Sequence, residues 1–159
     1  MFDKYGEFGS AEEINEAAKA QLEEGDLNAV LEIALENGID KEDAEDFIDG
    51  VVPELVTPLM AALGKLDVEA TDIKPYEIME DWLGYIRMQC QDNTDMCRAV
   101  RKKGKSLKKC IAELLKWSLK NQYKVPKEIL EECKISYKCT LGIPGMKRAK
   151  DIIKDYYMK

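Results

Sequence analysis

Residues 96–122, MCRAVRKKGKSLKKCIAELLKWSLKNQ, mark the point at which the chain changes from acidic to basic. Residues 1–92 carry 24 Asp and Glu side chains against 6 Lys and Arg, whereas residues 93–159 carry 7 against 18. The two halves therefore have net charges of −18 and +11, and the whole chain has a net charge of −7 at pH 7. Because such a charge distribution governs which partners a protein attracts, it favours a binding function.

The same stretch contains two predicted helices. Asn93 is a suitable N-cap for a short helix over residues 94–103, and Gly104 is a typical stop signal. Ser106 is a suitable N-cap for a second helix, whose apolar residues recur at three- and four-residue steps. These apolar positions are Leu107, Cys110, Ile111 and Leu114.

Cationic side chains cluster on the short helix, on the turn after it and at the start of the second helix. One interpretation is a nucleic-acid-binding corner, because Lys and Arg provide the contacts to phosphates. The alternative is a solvated face that pairs with the carboxylates of the acidic half. The residues that would contact nucleic acid in the first interpretation are Arg98, Arg101, Lys102, Lys103, Lys105 and Lys109.

Helical patterns extend over most of the chain. Capping residues precede apolar helical faces at Ser10, Asp26 and Asp40, and a glycine follows each of these segments. One candidate strand is 135–141, in which apolar and polar residues alternate. We therefore expect an all-α fold, a compact multi-helix domain of seven to nine short helices with at most one short strand pair.

Two subdomains are expected within this fold. The acidic one covers residues 1–66 and the basic one covers residues 73–159. The polar segment between them precedes Pro75, and a proline disfavours the helical conformation of the residue before it. We therefore place the boundary in residues 67–74.

Two longer helices are predicted around this boundary. Residues 51–66 form the most apolar segment and are interpreted as a central core helix with a kink at Pro58. Pro75 is expected to begin a helix that ends near Cys90, since proline is favoured in a first helical turn.

The predicted helix that begins at Asp40 is almost wholly acidic on its exposed side. With the helix before it, it forms a pair of the helix-turn-helix type. In DNA-binding proteins the second helix of such a pair enters the major groove. Phosphates would repel these carboxylates, so DNA reading by this pair is excluded.

Carboxylates recur at every third residue along this helix, and the Cβ atoms of residues at that spacing lie about 5–6 Å apart. This spacing approaches that of charges along a nucleic-acid backbone, so the surface is suited to a basic groove on a partner protein. The alternative is a solubilising face that also complements the helix dipole. Asp40 and Asp43 are expected to serve the helix N-terminus. The residues predicted to bind a basic protein are Glu42, Glu45, Asp46 and Asp49.

The cysteines indicate reduced thiols. Their number is odd, and three lie in or beside apolar helical positions, which is typical of buried thiols in a cytoplasmic protein. Their spacings differ from those of zinc sites, and the chain has no histidine. We therefore expect no bound metal, no disulfide and no cofactor. The cysteines are Cys90, Cys97, Cys110, Cys133 and Cys139.

The N-terminal sequence MFDKYGEFGS is polar and of mixed charge, so we expect no secretory signal. No apolar run approaches the roughly 20 residues that a membrane span needs. These features predict a cytoplasmic protein that does not enter a membrane.

The segment LGIPGMKRAKDIIKDYY resembles the second half of a helix-hairpin-helix motif. Gly145, Ala149 and Ile152 match its second hairpin glycine, a small packing residue and an apolar anchor. In that family the backbone N–H groups of the hairpin contact phosphate. The resemblance implies that Lys147, Arg148 and Lys150 would assist, although Ile143 occupies the position of the first glycine.

Over its whole length the chain resembles small, acidic, helical proteins of bacterial mobile elements and prophages. The stretches that carry this likeness are FDKYGEF, AVRKKGKSLKKCIAELLKWS and LGIPGMKRAK. Proteins of this general kind include inhibitors of RNA-guided nucleases, the anti-CRISPR proteins.

Three functions are compatible with these features. The first is a non-enzymatic binding or regulatory protein of a mobile element, in its sharpest form a nucleic-acid mimic that inhibits a basic host protein such as an RNA-guided nuclease. The alternative is a nucleic-acid-binding accessory protein that uses the basic C-terminal half. An enzyme is disfavoured, because without histidine no set of residues suggests a general base.

Overall fold

The computed structural model describes residues 2–159, which form nine helices and one two-stranded sheet. The predicted all-α fold of seven to nine helices with at most one strand pair is confirmed. The helices are α1 Ala11–Glu23, α2 Leu27–Glu36, α3 Lys41–Ile48, α4 Pro58–Ile73, α5 Ile78–Asp92, α6 Thr94–Arg101, α7 Leu107–Lys120, α8 Lys127–Glu132 and α9 Met146–Met158. The strands are β1 Tyr123–Lys124 and β2 Thr140–Leu141.

Side-chain caps fix the starts of several helices. The predicted caps Ser10, Asp26, Asn93 and Ser106 each accept a hydrogen bond from a backbone N–H in the first turn that follows. Asp40 occupies the N-cap position of α3, but its carboxylate accepts no capping hydrogen bond. The sequence therefore located these helix starts correctly, but the capping hydrogen bond expected from Asp40 is not formed.

The first core lies between α1, α2, α3 and the start of α4. Each of the first three helices contributes one apolar face, as the helical spacing predicts. Its fully buried members include Ile14, Val30, Ile33 and Ala44.

Helix α4 differs from the prediction at both ends. Residues 51–55 are bends, and the helix begins at Pro58 because Thr57 caps it by accepting the Met60 N–H. The predicted kinked helix over residues 51–66 is therefore wrong. Proline is favoured at the first position of a helix, where its missing N–H costs no hydrogen bond, so Pro58 starts the helix and does not bend one. The helix then continues to Ile73, so the segment predicted as a boundary is helical.

The two cores meet along α4. Ala61 packs in the first core, whereas Ala62 and Leu66 pack in the second. The second core also takes residues from α5, α6, α7 and α9, among them Trp82, Ile86, Leu107, Leu114 and Ile153. One continuous helix therefore belongs to both cores, and no loop divides them at residues 67–74.

Helix α5 begins at Ile78, three residues after the predicted start at Pro75. Lys74 and Glu77 have positive φ angles of 46° and 53°, which interrupt the helical path between α4 and α5. The predicted end near Cys90 is close to the observed end at Asp92.

The turn between α2 and α3 touches α4 through backbone atoms. A Cβ atom added to Gly64 would lie 2.3 Å from the Asn37 carbonyl oxygen, and one added to Gly38 would lie 2.3 Å from the Gly64 carbonyl oxygen. Gly38 also has a φ of +71°, a conformation that favours glycine. This close approach sets the position of α3 on the rest of the molecule.

The sheet uses only the end of the predicted strand. In the antiparallel pair, Tyr123 lies opposite Leu141 and Lys124 lies opposite Thr140. Residues 135–139 are irregular, and α8 lies in the connection between the two strands. The alternating pattern therefore located one strand but not its pairing partner, because pairing depends on long-range contacts.

Candidate protein-binding surface

Helix α3 presents a row of carboxylates to solvent. Ala44 and Phe47 are buried in the first core and thereby fix which side of the helix faces outward. The four residues predicted to bind a basic protein are exposed and lie on the opposite side by helical spacing. We term this set the acidic face: Glu42, Glu45, Asp46 and Asp49.

Cations of the basic half do not cover the acidic face. Within residues 2–159, Glu45 is the member that forms an ion pair, at 2.8 Å from Lys41 on the same helix. Across the described chain, one ion pair joins residues 1–92 to residues 93–159, between Glu13 and Lys103 at 3.3 Å. Direct pairing between the two halves therefore neutralises little of their charge.

Two shallow clefts extend the acidic surface beyond α3. A cleft of about 240 Å³ is lined by three acidic residues, Asp43, Asp46 and Glu54, and by apolar residues that include Val52, Leu55 and Met60.

A second cleft, of about 300 Å³, shares Glu54 with the first and includes Glu12, Glu16 and Lys19 of α1. The residue pattern alone did not indicate that Glu54, Glu12 and Glu16 belong to this surface. No local pattern links α1 to α3, because about 30 residues separate them and only the fold brings them together.

Arg101 does not belong to the predicted nucleic-acid-binding corner. It is 1% exposed, and its guanidinium donates to the Phe8 carbonyl at 3.0 Å, to the Ala61 carbonyl at 3.3 Å and to the Asn37 side-chain oxygen. Burial lowers its pKa to about 10, which leaves it protonated at neutral pH. Its prediction as a surface contact is corrected, because the last turn of α6 faces α4 and the turn that follows α2.

The other cations of this corner differ in accessibility. Lys105 is half-buried, donates to the Tyr156 carbonyl and lies 4.8 Å from the centre of the Tyr156 ring. Lys109 is exposed and donates to the Gly104 carbonyl at 2.8 Å. Nucleic-acid binding by the accessible members stays a prediction. These members are Arg98, Lys102, Lys103 and Lys109.

Lys147 and Arg148 are exposed in the first turn of α9. The Arg148 guanidinium lies 5.9 Å from the centre of the Trp117 ring. Gly145 is the N-cap residue of α9, and Ala149 is buried in the second core. Residues 133–145, which include β2, separate α9 from α8, so no helix directly precedes the turn.

A buried polar cluster that the residue pattern did not predict joins the two cores. Lys65 is fully buried and donates to Glu7 at 2.7 Å and to the Lys102 and Lys105 carbonyls at 3.3 and 2.8 Å. The sequence did contain one indication of this cluster, because Lys65 lies among the apolar residues of α4. The members are Asn37, Lys65, Glu69 and Arg101.

Glu69 is 4% exposed and accepts the Leu107 N–H at 2.9 Å, at the first residue of α7. Burial raises the pKa of Glu69 above its ordinary value, and the Leu107 N–H and Lys65 oppose that increase. The carboxyl is therefore easier to protonate in the folded chain than in the unfolded one.

This shift predicts a pH-dependent effect of Glu69→Gln. A raised folded pKa contributes stability that is present below the unfolded pKa and is lost as pH rises through the folded pKa. Glutamine keeps an acceptor for Leu107 and does not titrate. We expect the free energy of unfolding of the wild type to fall relative to that of the variant as pH rises above the ordinary Glu pKa of 4.5. Urea unfolding at several pH values measures this, and a constant difference would contradict it.

The described cysteines are free thiols. Burial raises the pKa of Cys90 and of Cys110 to about 12, so both stay protonated and unreactive at neutral pH. Cys97 is also buried, and its thiol donates to the Cys90 carbonyl at 3.0 Å. Their positions are those of packing residues.

Within residues 2–159, no group of three or more Cys, Asp or Glu side chains is placed to hold a metal ion. None of the helices in this range combines the length and the apolar character that crossing a membrane requires. Comparison of the chain with protein-family models, with curated proteins and with solved structures found no match.

Proposed function

We propose that this protein is a non-enzymatic, cytoplasmic binding protein of a mobile element, whose acidic face occupies a basic nucleic-acid-binding groove on a partner protein. The observation that supports it is the arrangement of α3. Four carboxylates point outward from a short helix, and the cations of the basic half leave them uncovered. An RNA-guided nuclease is the kind of partner that the resemblance to anti-CRISPR proteins implies.

The electrostatics of the acidic face are those of a binding surface. Clustered like charges repel one another and cost stability in the free protein. A basic groove relieves this repulsion on binding and accelerates the encounter, an effect that salt screens. Apolar residues beside Asp43 and Asp46 can pack against the aliphatic stems of Lys and Arg side chains.

The test is the quadruple variant Glu42→Gln, Glu45→Gln, Asp46→Asn and Asp49→Asn. We expect it to fold with unchanged or slightly higher stability and to lose binding to a basic nucleic-acid-binding protein. A suitable probe is an RNA-guided nuclease from a native host, with its DNA cleavage as the measurement. Wild type should inhibit cleavage, inhibition should weaken with salt, and excess nucleic acid should compete with it.

A matched control removes four negative charges elsewhere: Glu24→Gln, Asp72→Asn, Glu128→Gln and Glu132→Gln. All four residues are exposed and lie outside the acidic face. This variant has the same net charge as the first and should keep full inhibition. Equal loss in both variants would mean that only net charge matters. A large drop in melting temperature of the first variant, with binding unchanged, would rule out mimicry.

A further inference from the structure

Residues 2–9 form an irregular segment, which we term the strap and which packs on the first core through the partly buried Tyr5 and Phe8. Polar contacts to α2 hold one part of it. Lys4 pairs with Glu32, and the N–H groups of Lys4 and Tyr5 donate to Glu36 at 3.0 and 3.3 Å. None of the strap residues is fully buried. Because the segment has no helical hydrogen bonds and no fully buried side chain, its local opening should require less free energy than unfolding of the helices.

Under the strap, the carboxylate of Glu7 meets the ammonium of Lys65 at 2.7 Å. The Lys65 side chain has no exposed surface, whereas the Glu7 side chain is 32% exposed. Among residues 2–159, Glu7 is the carboxylate that forms an ion pair with Lys65. The carbonyls of Lys102 and Lys105 also hold the ammonium and do not belong to the strap. If the strap lifts, the cation therefore stays in position while its counter-ion leaves.

Arg101 lies under the same strap. Two of its acceptors, the Ala61 carbonyl and the Asn37 side chain, belong to the body of the protein. The strap adds the Phe8 carbonyl at 3.0 Å and the Phe2 ring, whose centre is 5.3 Å from the guanidinium. In the described chain, no carboxylate forms an ion pair with Arg101. Burial lowers its pKa to about 10, and the charge of Glu7 is the largest opposing influence.

We propose that the strap is displaceable and that Glu7 is the internal occupant of an anion-binding site formed by Lys65 and Arg101. When the strap lifts, this site accepts a carboxylate or phosphate group from another molecule. Two buried cations held by neutral acceptors of the body are preorganised for such a group. Glu69 lies close enough for its charge to act on both, but among the described residues it forms no ion pair with either of them and accepts the Leu107 N–H instead. Loss of Glu7 therefore removes the ion-paired anion of a buried cation, which is unfavourable. The site lies apart from the acidic face, so its test is independent of the proposed function.

The experiment empties the site by Glu7→Ala and refills it with small anions. Removing the partner of a buried cation should lower the melting temperature by roughly 6–20 °C. Acetate or inorganic phosphate should restore at least half of this loss in a saturable manner, whereas chloride at the same ionic strength should not. Comparing acetate with phosphate decides which group the site prefers. If Glu7→Ala does not fold, Glu7→Gln removes the charge while keeping the length and takes its place.

The matched control is Glu32→Ala, which removes another strap contact and leaves Glu7 in place. It should show no specific recovery with acetate or phosphate. In the wild type, hydrogen exchange of residues 2–9 should become faster in phosphate than in chloride, because the anion competes with Glu7. The proposal is overturned if both anions act like chloride on the Glu7 variant, if Glu32→Ala recovers equally, or if wild-type exchange is indifferent to the anion.

Discussion

Arg101→Met should destabilise the protein by about 3–5 kcal/mol, because it removes the donor to one buried side-chain oxygen and to two backbone carbonyls. Asn37 is fully buried, and the Arg101 guanidinium donates to its side-chain oxygen. The Ala61 carbonyl also loses its Arg101 donor. Methionine keeps an apolar stem in place, so most of the loss reflects polar groups. At 159 residues this corresponds to a decrease in melting temperature of about 6–20 °C.

The control for this variant is Arg98→Met, one turn earlier on α6. Arg98 is exposed and pairs with Asp95 at 3.6 Å. An exposed pair of this kind contributes about 0–1 kcal/mol, so the control should change stability little. Urea unfolding followed by circular dichroism compares the two variants. Similar losses would show that the charge of α6, and not the buried contacts of Arg101, is what matters.

Gly64→Ala should be the second strongly destabilising change, by about 3 kcal/mol, near the upper end of what overpacking usually costs. The added Cβ would lie 2.3 Å from the Asn37 carbonyl oxygen and 3.1 Å from the Gly38 carbonyl oxygen. Both are backbone atoms, so the contact cannot be relieved by a side-chain rotation. The α2–α3 turn would have to move away from α4, and Arg101 would lose its geometry with Asn37.

Gly84→Ala provides the matched control, since Gly84 also lies within a helix. It is exposed, and a Cβ there would have no other atom within 4 Å beyond its own helical surroundings. Alanine is favoured over glycine in a helix by about 0.5–1 kcal/mol, so this variant should be more stable than the wild type. If Gly64→Ala proves as stable as Gly84→Ala, the α2–α3 turn does not pack against α4 as closely as described.

The sequence by itself determined the helical class and much of the local structure. Ser10, Asp26, Asn93 and Ser106 cap helices where they were expected to, because capping depends on residues two or three positions apart. The acidic face was equally accessible from sequence, since the apolar residues Ala44 and Phe47 fix the outward side of α3. Local patterns of this kind need no knowledge of the rest of the chain.

Tertiary structure alone decided which charged residues are surface and which are interior. Arg101 lies within a run of cations that predicts a solvated corner, yet it is buried because α6 packs on α4 beside Asn37. Lys65 lies on an apolar helix and finds acceptors in Glu7, Lys102 and Lys105, which are distant in sequence. A buried charge is tolerated only where such partners converge, and that convergence depends on contacts that no local pattern encodes.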